Sequence, residues 1–71
     1  MTFHQWLSKH VKRDSPLGDL ARDVQMDKKC LFLENTRMAW VAHLQTMGAC
    51  NAAMATLKTA WRSYAVAKKR Q

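Results

Sequence analysis

Apolar residues in the last third of the chain recur at intervals of three and four positions, and this spacing limits what the chain can fold into. Met54, Leu57, Trp61 and Tyr64 would all lie on one face of an α-helix. The alanines around them have the highest intrinsic helix propensity. No segment shows the alternation typical of a β-strand. The sequence therefore predicts an all-α fold whose longest helix covers about residues 50–68.

A second helix is predicted at the only proline of the chain. Ser15 can cap the free N–H groups of the first turn, and Pro16 suits that turn because its missing N–H would have had no partner there. Asp19 lies near the same positive helix end, where an acid is favoured. The helix should cover residues 16–26. Gly18 costs stability inside a helix relative to alanine, so we expect the backbone of another segment to approach it closely.

Two further helices complete the predicted bundle. Thr2 can cap a helix over residues 3–12. Asn35 can cap another over residues 36–47, and Gly48 would end it in the left-handed conformation that glycine favours.

The helical pattern breaks down between residues 27 and 34, where we predict an irregular or single-turn link. The helix that follows offers several candidates for burial. These are Met38, Trp40, Val41, Leu44 and Met47.

Positive charge is concentrated at the two ends of the chain, whose net charge is +7. Residues 35–71 contain six lysines and arginines and no acid, whereas residues 14–34 contain five acids against three bases. A positive field favours encounter with polyanions or with an acidic protein partner. It also keeps a small protein in solution, so the charge alone leaves both interpretations open.

Motifs for catalysis or metal binding are missing from the sequence. The two cysteines and three histidines form no C-x-x-C or H-x-x-x-H pair, so no metal site is predicted. There is no glycine-rich phosphate loop and no paired catalytic carboxylates. His43 and Cys50 form the one pair that suggests nucleophilic catalysis, and they are separated by Gly48. We therefore expect no catalytic residue, no cofactor and no small-molecule substrate.

The cellular location follows from two further absences in the sequence. No apolar run approaches the ~20 residues that a membrane span needs, and the N-terminal residues lack the apolar region of a secretory signal. We expect a cytoplasmic protein with no membrane contact. In a reducing compartment, Cys30 and Cys50 are expected to be buried free thiols.

Four short motifs occur in order along the chain. They are Phe3-x-x-Trp6-Leu7, then Ser15-Pro16-Leu17-Gly18-Asp19-Leu20-Ala21-x-Asp23 with Asp27 after it, then Trp40 with Leu44, and finally Ala60-Trp61-x-x-Tyr64. Together they resemble the YozE-like family, small bacterial and mobile-element proteins with a SAM-like (sterile alpha motif) fold. The resemblance implies a bundle of four to five helices and no enzyme activity. The length of the chain predicts one domain over residues 1–71, with a tail at 68–71 that frays.

The basic face of the last helix is the leading candidate for a binding site. Lys58, Arg62 and Lys69 share that face at four- and seven-residue spacing, and their contacts with phosphates would give salt-sensitive binding that ignores sequence. The alternative is a solvated helix face. The predicted nucleic-acid-binding residues are Arg37, Lys58, Arg62, Lys68, Lys69 and Arg70, with DNA or RNA as the partner.

The three tryptophans could stack on the bases of a nucleic acid. However, Trp6, Trp40 and Trp61 each lie in an apolar stripe, Trp40 less clearly than the others. We therefore expect all three in the core.

Protein–protein interaction is the alternative function. SAM-like folds often bind by packing the acidic surface of one domain against the basic helix end of another. Asp19, Asp23 and Asp27 are the candidate acidic surface, and the last helix is the basic partner. Head-to-tail self-association, an acidic protein partner and a role as adaptor or inhibitor of a larger host complex all stay open.

Overall fold

The computed structural model of the chain describes residues 1–69. Four α-helices and one short 3-10 helix occur in this part, and it contains no β-strand. The elements are α1 (Phe3–Ser8), α2 (Pro16–Met26), the 3-10 helix (Lys28–Phe32), α3 (Arg37–Thr46) and α4 (Asn51–Lys69). The predicted all-α bundle of four to five helices is therefore confirmed, and the break predicted at 27–34 is the 3-10 helix.

The start of α2 follows the sequence prediction. The Ser15 Oγ accepts a hydrogen bond from the Gly18 N–H at 3.3 Å, and Pro16 is the first helical residue. A Cβ atom at Gly18 would lie 1.9 Å from the carbonyl oxygen of Arg13. The segment between α1 and α2 thus passes directly against the helix, which is the close approach that the glycine predicted.

The ends of the helices differ in three places from the prediction. α1 ends at Ser8 instead of near residue 12, because the N–H groups of Lys9 and His10 turn back to carbonyls only three residues earlier. α3 is capped by Thr36, whose Oγ1 accepts a hydrogen bond from the Ala39 N–H at 3.2 Å. α4 continues through Lys69, so the helix extends into the tail that the sequence predicts to fray.

Phe3 forms the centre of the core. Its ring is fully buried and stacks on Trp61 with 4.3 Å between ring centroids. Trp40 and Tyr64 meet the same ring edge-on, at 4.9 Å and 5.5 Å. Aromatic pairs in these arrangements contribute about 0.5–1.5 kcal/mol beyond the burial of area. One residue of the short α1 therefore joins α3 to α4.

A chain of hydrogen bonds beside this core explains why Asn35 does not cap α3. The Asn35 Oδ1 accepts from the Phe3 N–H at 2.8 Å, and the Asn35 Nδ2 donates to the Tyr64 Oη at 3.1 Å. The Tyr64 hydroxyl in turn donates to the carbonyl oxygen of Met1 at 2.7 Å. The Asn35 side chain is thus directed at α1 and α4, and the neighbouring Thr36 takes the capping position.

α3 buries fewer side chains than the sequence predicts. Trp40 is 1% exposed and Val41 and Leu44 are half-buried, but Met38 is 84% and Met47 58% exposed. Met38 lies two positions before Trp40, on nearly the opposite side of the helix. Met47 follows the last helical residue, and Gly48 ends the helix with a φ of 77° as predicted.

His10 lies at the edge of the core. Its ring meets Trp6 edge-on at 4.5 Å, and neither ring nitrogen has a hydrogen-bond partner within residues 1–69. Burial lowers the pKa of His10, and the positive charges of Arg13 and Lys9 lower it further.

We expect this histidine to make stability depend on pH. Around the ordinary histidine pKa of about 6.5 the unfolded chain binds a proton more readily than the folded chain, so the free energy of unfolding rises with pH there. Thermal melts on either side of that value should differ less for His10→Phe than for the wild-type protein. An equal difference in both proteins would contradict a buried neutral His10.

Candidate nucleic-acid interface

Three cationic side chains line one groove on the surface between α3 and α4. Arg37 is the first residue of α3, and Lys58 and Arg62 lie one turn apart on α4. Trp61 and Ala65 complete the groove, whose volume is about 460 Å³. The fold therefore brings together three of the six residues predicted to bind nucleic acid.

The positive charge of the groove is not neutralised by neighbouring acids within the described chain. No carboxylate lines the groove, and neither of the ion pairs found among residues 1–69 involves Arg37, Lys58 or Arg62. All three side chains are exposed. Like charges four residues apart destabilise a helix by a few tenths of a kcal/mol. The proximity of Lys58 and Arg62 therefore slightly destabilises α4. Because neither is paired with an acid in the described chain, both cations are available to a ligand.

A second depression continues the groove along the outer side of α3. It has a volume of about 400 Å³ and shares Arg37 and Lys58 with the first groove. Its other lining residues are Met38, Val41, Ala42 and Gln45. We call the two depressions together the cationic groove, and Arg37 and Lys58 lie at their junction.

Trp61 lies in the wall of the cationic groove and is half-buried. One face of its ring stacks on Phe3, and its Nε1 is buried without a hydrogen-bond partner in the described chain. Trp40, which the sequence places in the core least clearly, is the most deeply buried of the three tryptophans. The groove therefore offers a ligand mainly positive charge. The one aromatic ring in its lining, that of Trp61, is only partly accessible.

Two of the remaining predicted cations, Lys68 and Lys69, lie apart from the cationic groove. Lys68 and Lys69 are exposed in the last turn of α4, and neither lines the groove. Lys69 follows Arg62 by seven residues, so it continues the same helix face towards the end of α4. Arg70 lies outside the described residues.

The three aspartates predicted to form an acidic surface have different environments. Asp19 is exposed and pairs with Arg22, and Asp23 is exposed on α2. Asp27 is half-buried, and its Oδ2 lies 2.7 Å from the Nε2 of His43. The hydrogen bond from His43 lowers the pKa of Asp27. Asp27 thus contacts α3 and does not extend the outward acidic surface.

The two cysteines also differ from each other. Cys30 is buried in the 3-10 helix, as expected, but Cys50 is exposed just before α4. Burial raises the pKa of the Cys30 thiol to about 12, and the nearby charge of Asp27 acts in the same direction. A thiol with so high a pKa is a poor nucleophile. His43, the other member of the His43–Cys50 pair considered from the sequence, is hydrogen-bonded to Asp27, and His43 and Cys50 line the same cavity.

No helix within residues 1–69 has both the length and the apolar character needed to cross a bilayer.

The chain is related to known proteins through a family model. No curated protein and no solved structure matches the chain significantly. A family model described as the YozE SAM-like fold matches residues 2–66, which include α1, α2, α3 and most of α4. The match covers most of the 71 residues, and the chain therefore belongs to the YozE SAM-like fold family.

Proposed function

We propose that this protein is a non-enzymatic cytoplasmic module that binds nucleic acid through the cationic groove. One observation carries the proposal: Arg37, Lys58 and Arg62 line a single groove to which no described residue contributes a carboxylate. Cations that come from two different helices and are not neutralised are suited to a ligand with several negative charges in a row. The phosphate backbone of DNA or RNA is such a ligand.

The chemistry of the side chains suggests how phosphates would be held. The two arginines can each donate two parallel hydrogen bonds to one phosphate, whereas Lys58 acts as a mobile point charge. Arg37 also lies at the start of α3, whose first turn contains no acid, so the partial positive charge of the helix end adds to the field. Gln45 at the far end of the groove is an uncharged side chain that can both donate and accept hydrogen bonds. Contacts of this kind position a nucleic acid without reading its sequence.

The same chemistry gives the expected strength of binding. Binding by phosphate contacts alone has dissociation constants on the order of 10⁻⁴–10⁻⁶ M at physiological salt. Each phosphate neutralised on duplex DNA contributes about 0.9 to the slope of log affinity against log salt concentration. Binding should therefore be detectable at low salt and should weaken steeply as salt is added.

We expect the triple variant Arg37→Ala, Lys58→Ala, Arg62→Ala to lose most of this binding. If each side chain neutralises one phosphate, the salt slope should fall by about 0.9 for each cation removed. Fluorescence anisotropy with labelled duplex and single-stranded oligonucleotides, measured at several salt concentrations, gives both quantities. The three residues are exposed, so the variant should keep the fold.

A matched control removes the same charge elsewhere. Lys12, Lys28 and Lys29 are exposed and none of them lines the cationic groove. Their triple alanine variant should keep a salt slope closer to that of the wild-type protein. Equal losses in the two triple variants would mean that net charge, and not the groove, attracts the nucleic acid. No binding by the wild-type protein at low salt would contradict the proposal altogether.

A protein–protein adaptor or inhibitor is the second candidate, and exposed apolar side chains favour it. Phe32 is 86%, Met26 85% and Leu31 63% exposed, and all three lie at or near the 3-10 helix. Apolar residues concentrated in one exposed segment are typical of interaction surfaces. This candidate becomes the preferred one if the titration finds no binding of nucleic acid.

A further inference from the structure

Three side chains meet at a point that is separate from the cationic groove. Asp27 precedes the 3-10 helix, Cys30 lies within it, and His43 lies in the last turn of α3. The carboxylate oxygen, the sulfur and the ring nitrogen all lie within 4.8 Å of one another. We infer that Asp27, Cys30 and His43 form a binding site for a divalent transition-metal ion, with Zn²⁺ as the expected occupant.

The distances are close to those that a bound ion requires. Zinc binds oxygen, nitrogen and sulfur at about 2.0–2.3 Å, which separates neighbouring ligands of a tetrahedral site by about 3.3–3.7 Å. The His43 Nε2 and the Asp27 Oδ2 are 2.7 Å apart as a hydrogen-bonded pair. This pair would have to open slightly and the Cys30 sulfur would have to move inwards.

The hydrogen bonds of Asp27 orient its carboxylate so that one oxygen faces the proposed ion site. The Asp27 Oδ1 accepts from the Lys29 N–H at 3.0 Å, which fixes the orientation of the carboxylate. The Oδ2 is then directed at His43. Partners that orient a ligating carboxylate in this way are a regular feature of metal sites.

The ligand types select the class of metal. One thiolate, one imidazole and one carboxylate suit Zn²⁺ and related transition metals, whereas Mg²⁺ and Ca²⁺ prefer sites made of oxygen alone. Binding would break the S–H bond of Cys30, form a metal–sulfur bond and release that proton to the solvent. The hydrogen that His43 Nε2 donates to Asp27 would move through the solvent to Nδ1, so that the lone pair of Nε2 forms the metal–nitrogen bond. The two negative charges of the thiolate and the carboxylate would then balance the charge of the ion.

A neighbouring cavity provides room for a fourth ligand. Its volume is about 260 Å³, and Asp27, Cys30 and His43 all line it. Cys50 lines the same cavity. Three protein ligands with an open fourth position are the arrangement in which zinc retains a water molecule. Cys50 is exposed and is not among the side chains whose ligand atoms lie within 4.8 Å of one another, so we expect solvent, and not Cys50, to complete the coordination.

The site is not apparent from the sequence for a simple reason. Asp27 and Cys30 are three residues apart, but His43 is thirteen residues beyond Cys30 and belongs to another helix. Sequence patterns for metals depend on close pairs of ligands. Only the packing of the 3-10 helix near α3 brings the histidine to the other two side chains.

Cobalt(II) is the probe for the first experiment, because a thiolate bound to cobalt gives a charge-transfer absorption band. The reduced protein should bind one Co²⁺ with this band, and Zn²⁺ should displace it. The decisive protein is Cys50→Ser, in which Cys30 is the only remaining thiol. A band in this variant identifies Cys30 as the ligand. Absence of the band from the wild-type protein, or its loss in Cys50→Ser, would overturn the proposal.

Two further variants test the other ligands. Asp27→Asn and His43→Gln should each weaken Co²⁺ binding by about tenfold or more, since loss of a partner that merely orients a ligand already costs about 10–100-fold. A thermal melt of the wild-type protein with and without Zn²⁺ gives an independent measurement. The melting temperature should rise with Zn²⁺ and not with Mg²⁺. Unchanged affinity in both variants, or an equal response to the two ions, would contradict the site.

Discussion

Phe3→Ala is expected to lower the free energy of unfolding by about 3–5 kcal/mol, the usual cost of removing a buried phenylalanine ring. The ring is fully buried and contacts the rings of Trp40, Trp61 and Tyr64, so its loss leaves a cavity among large, rigid neighbours that cannot easily close it. A domain of this length is stable by about 4–10 kcal/mol in total. The loss is therefore a large fraction of the total stability, and urea denaturation followed by circular dichroism should show a midpoint far below that of the wild-type protein.

The second phenylalanine of the chain provides the control. Phe32 is 86% exposed, and Phe32→Ala removes the same atoms. Substitutions on the surface usually change stability by no more than about 0.5 kcal/mol. Similar losses in the two variants would contradict the central place of Phe3 in the core.

Gly18→Ala is expected to destabilise the protein, although alanine is the better helix former by about 1 kcal/mol. The added Cβ would lie 1.9 Å from the carbonyl oxygen of Arg13, a backbone atom that cannot rotate away. The segment between α1 and α2 would have to shift, and overpacking of this kind costs about 1–3 kcal/mol or more. Urea denaturation should show a clear net loss of stability.

Gly48→Ala is the control, because glycine is favoured at position 48 by its backbone conformation and not by a lack of space for a Cβ atom. Gly48 has a φ of 77°, and a Cβ there would meet nothing within 4 Å. Its replacement should cost only the left-handed conformation, roughly 1–2 kcal/mol. If Gly18→Ala were as stable as the wild-type protein, the Arg13 carbonyl could not lie directly against α2.

The features that the sequence predicts correctly are those that depend on neighbouring residues. Ser15, Pro16 and Gly18 define the start of α2 through contacts within a few positions, and Gly48 ends α3 for the same reason. Lys58 and Arg62 share a face because helical spacing alone places them together. The family resemblance is confirmed by the match to the family model.

The errors occur where a distant partner decides the outcome. Asn35 has the chemistry of a helix cap, but Phe3 and Tyr64 engage its side chain instead. Met38 is apolar and therefore a candidate for burial, yet the side of α3 that meets α4 is set by Trp40. The grouping of Asp27 with Cys30 and His43 likewise depends on how two elements pack. Local spacing carries no information on the hydrogen bonds of Asn35 or on the contact of His43 with Asp27.

The hydrogen bonds of Asn35 and Tyr64 have a consequence for how the domain folds and melts. The bond from Tyr64 to Met1 joins residues 63 positions apart, and the bond from Asn35 to Phe3 joins residues 32 positions apart. Contacts over such separations require the entropy of loop closure to be overcome before they form. We expect them to form late in folding, and they join the N-terminal segment both to the start of α3 and to α4. Short helices that would be unstable alone are in this way coupled into a single cooperative transition.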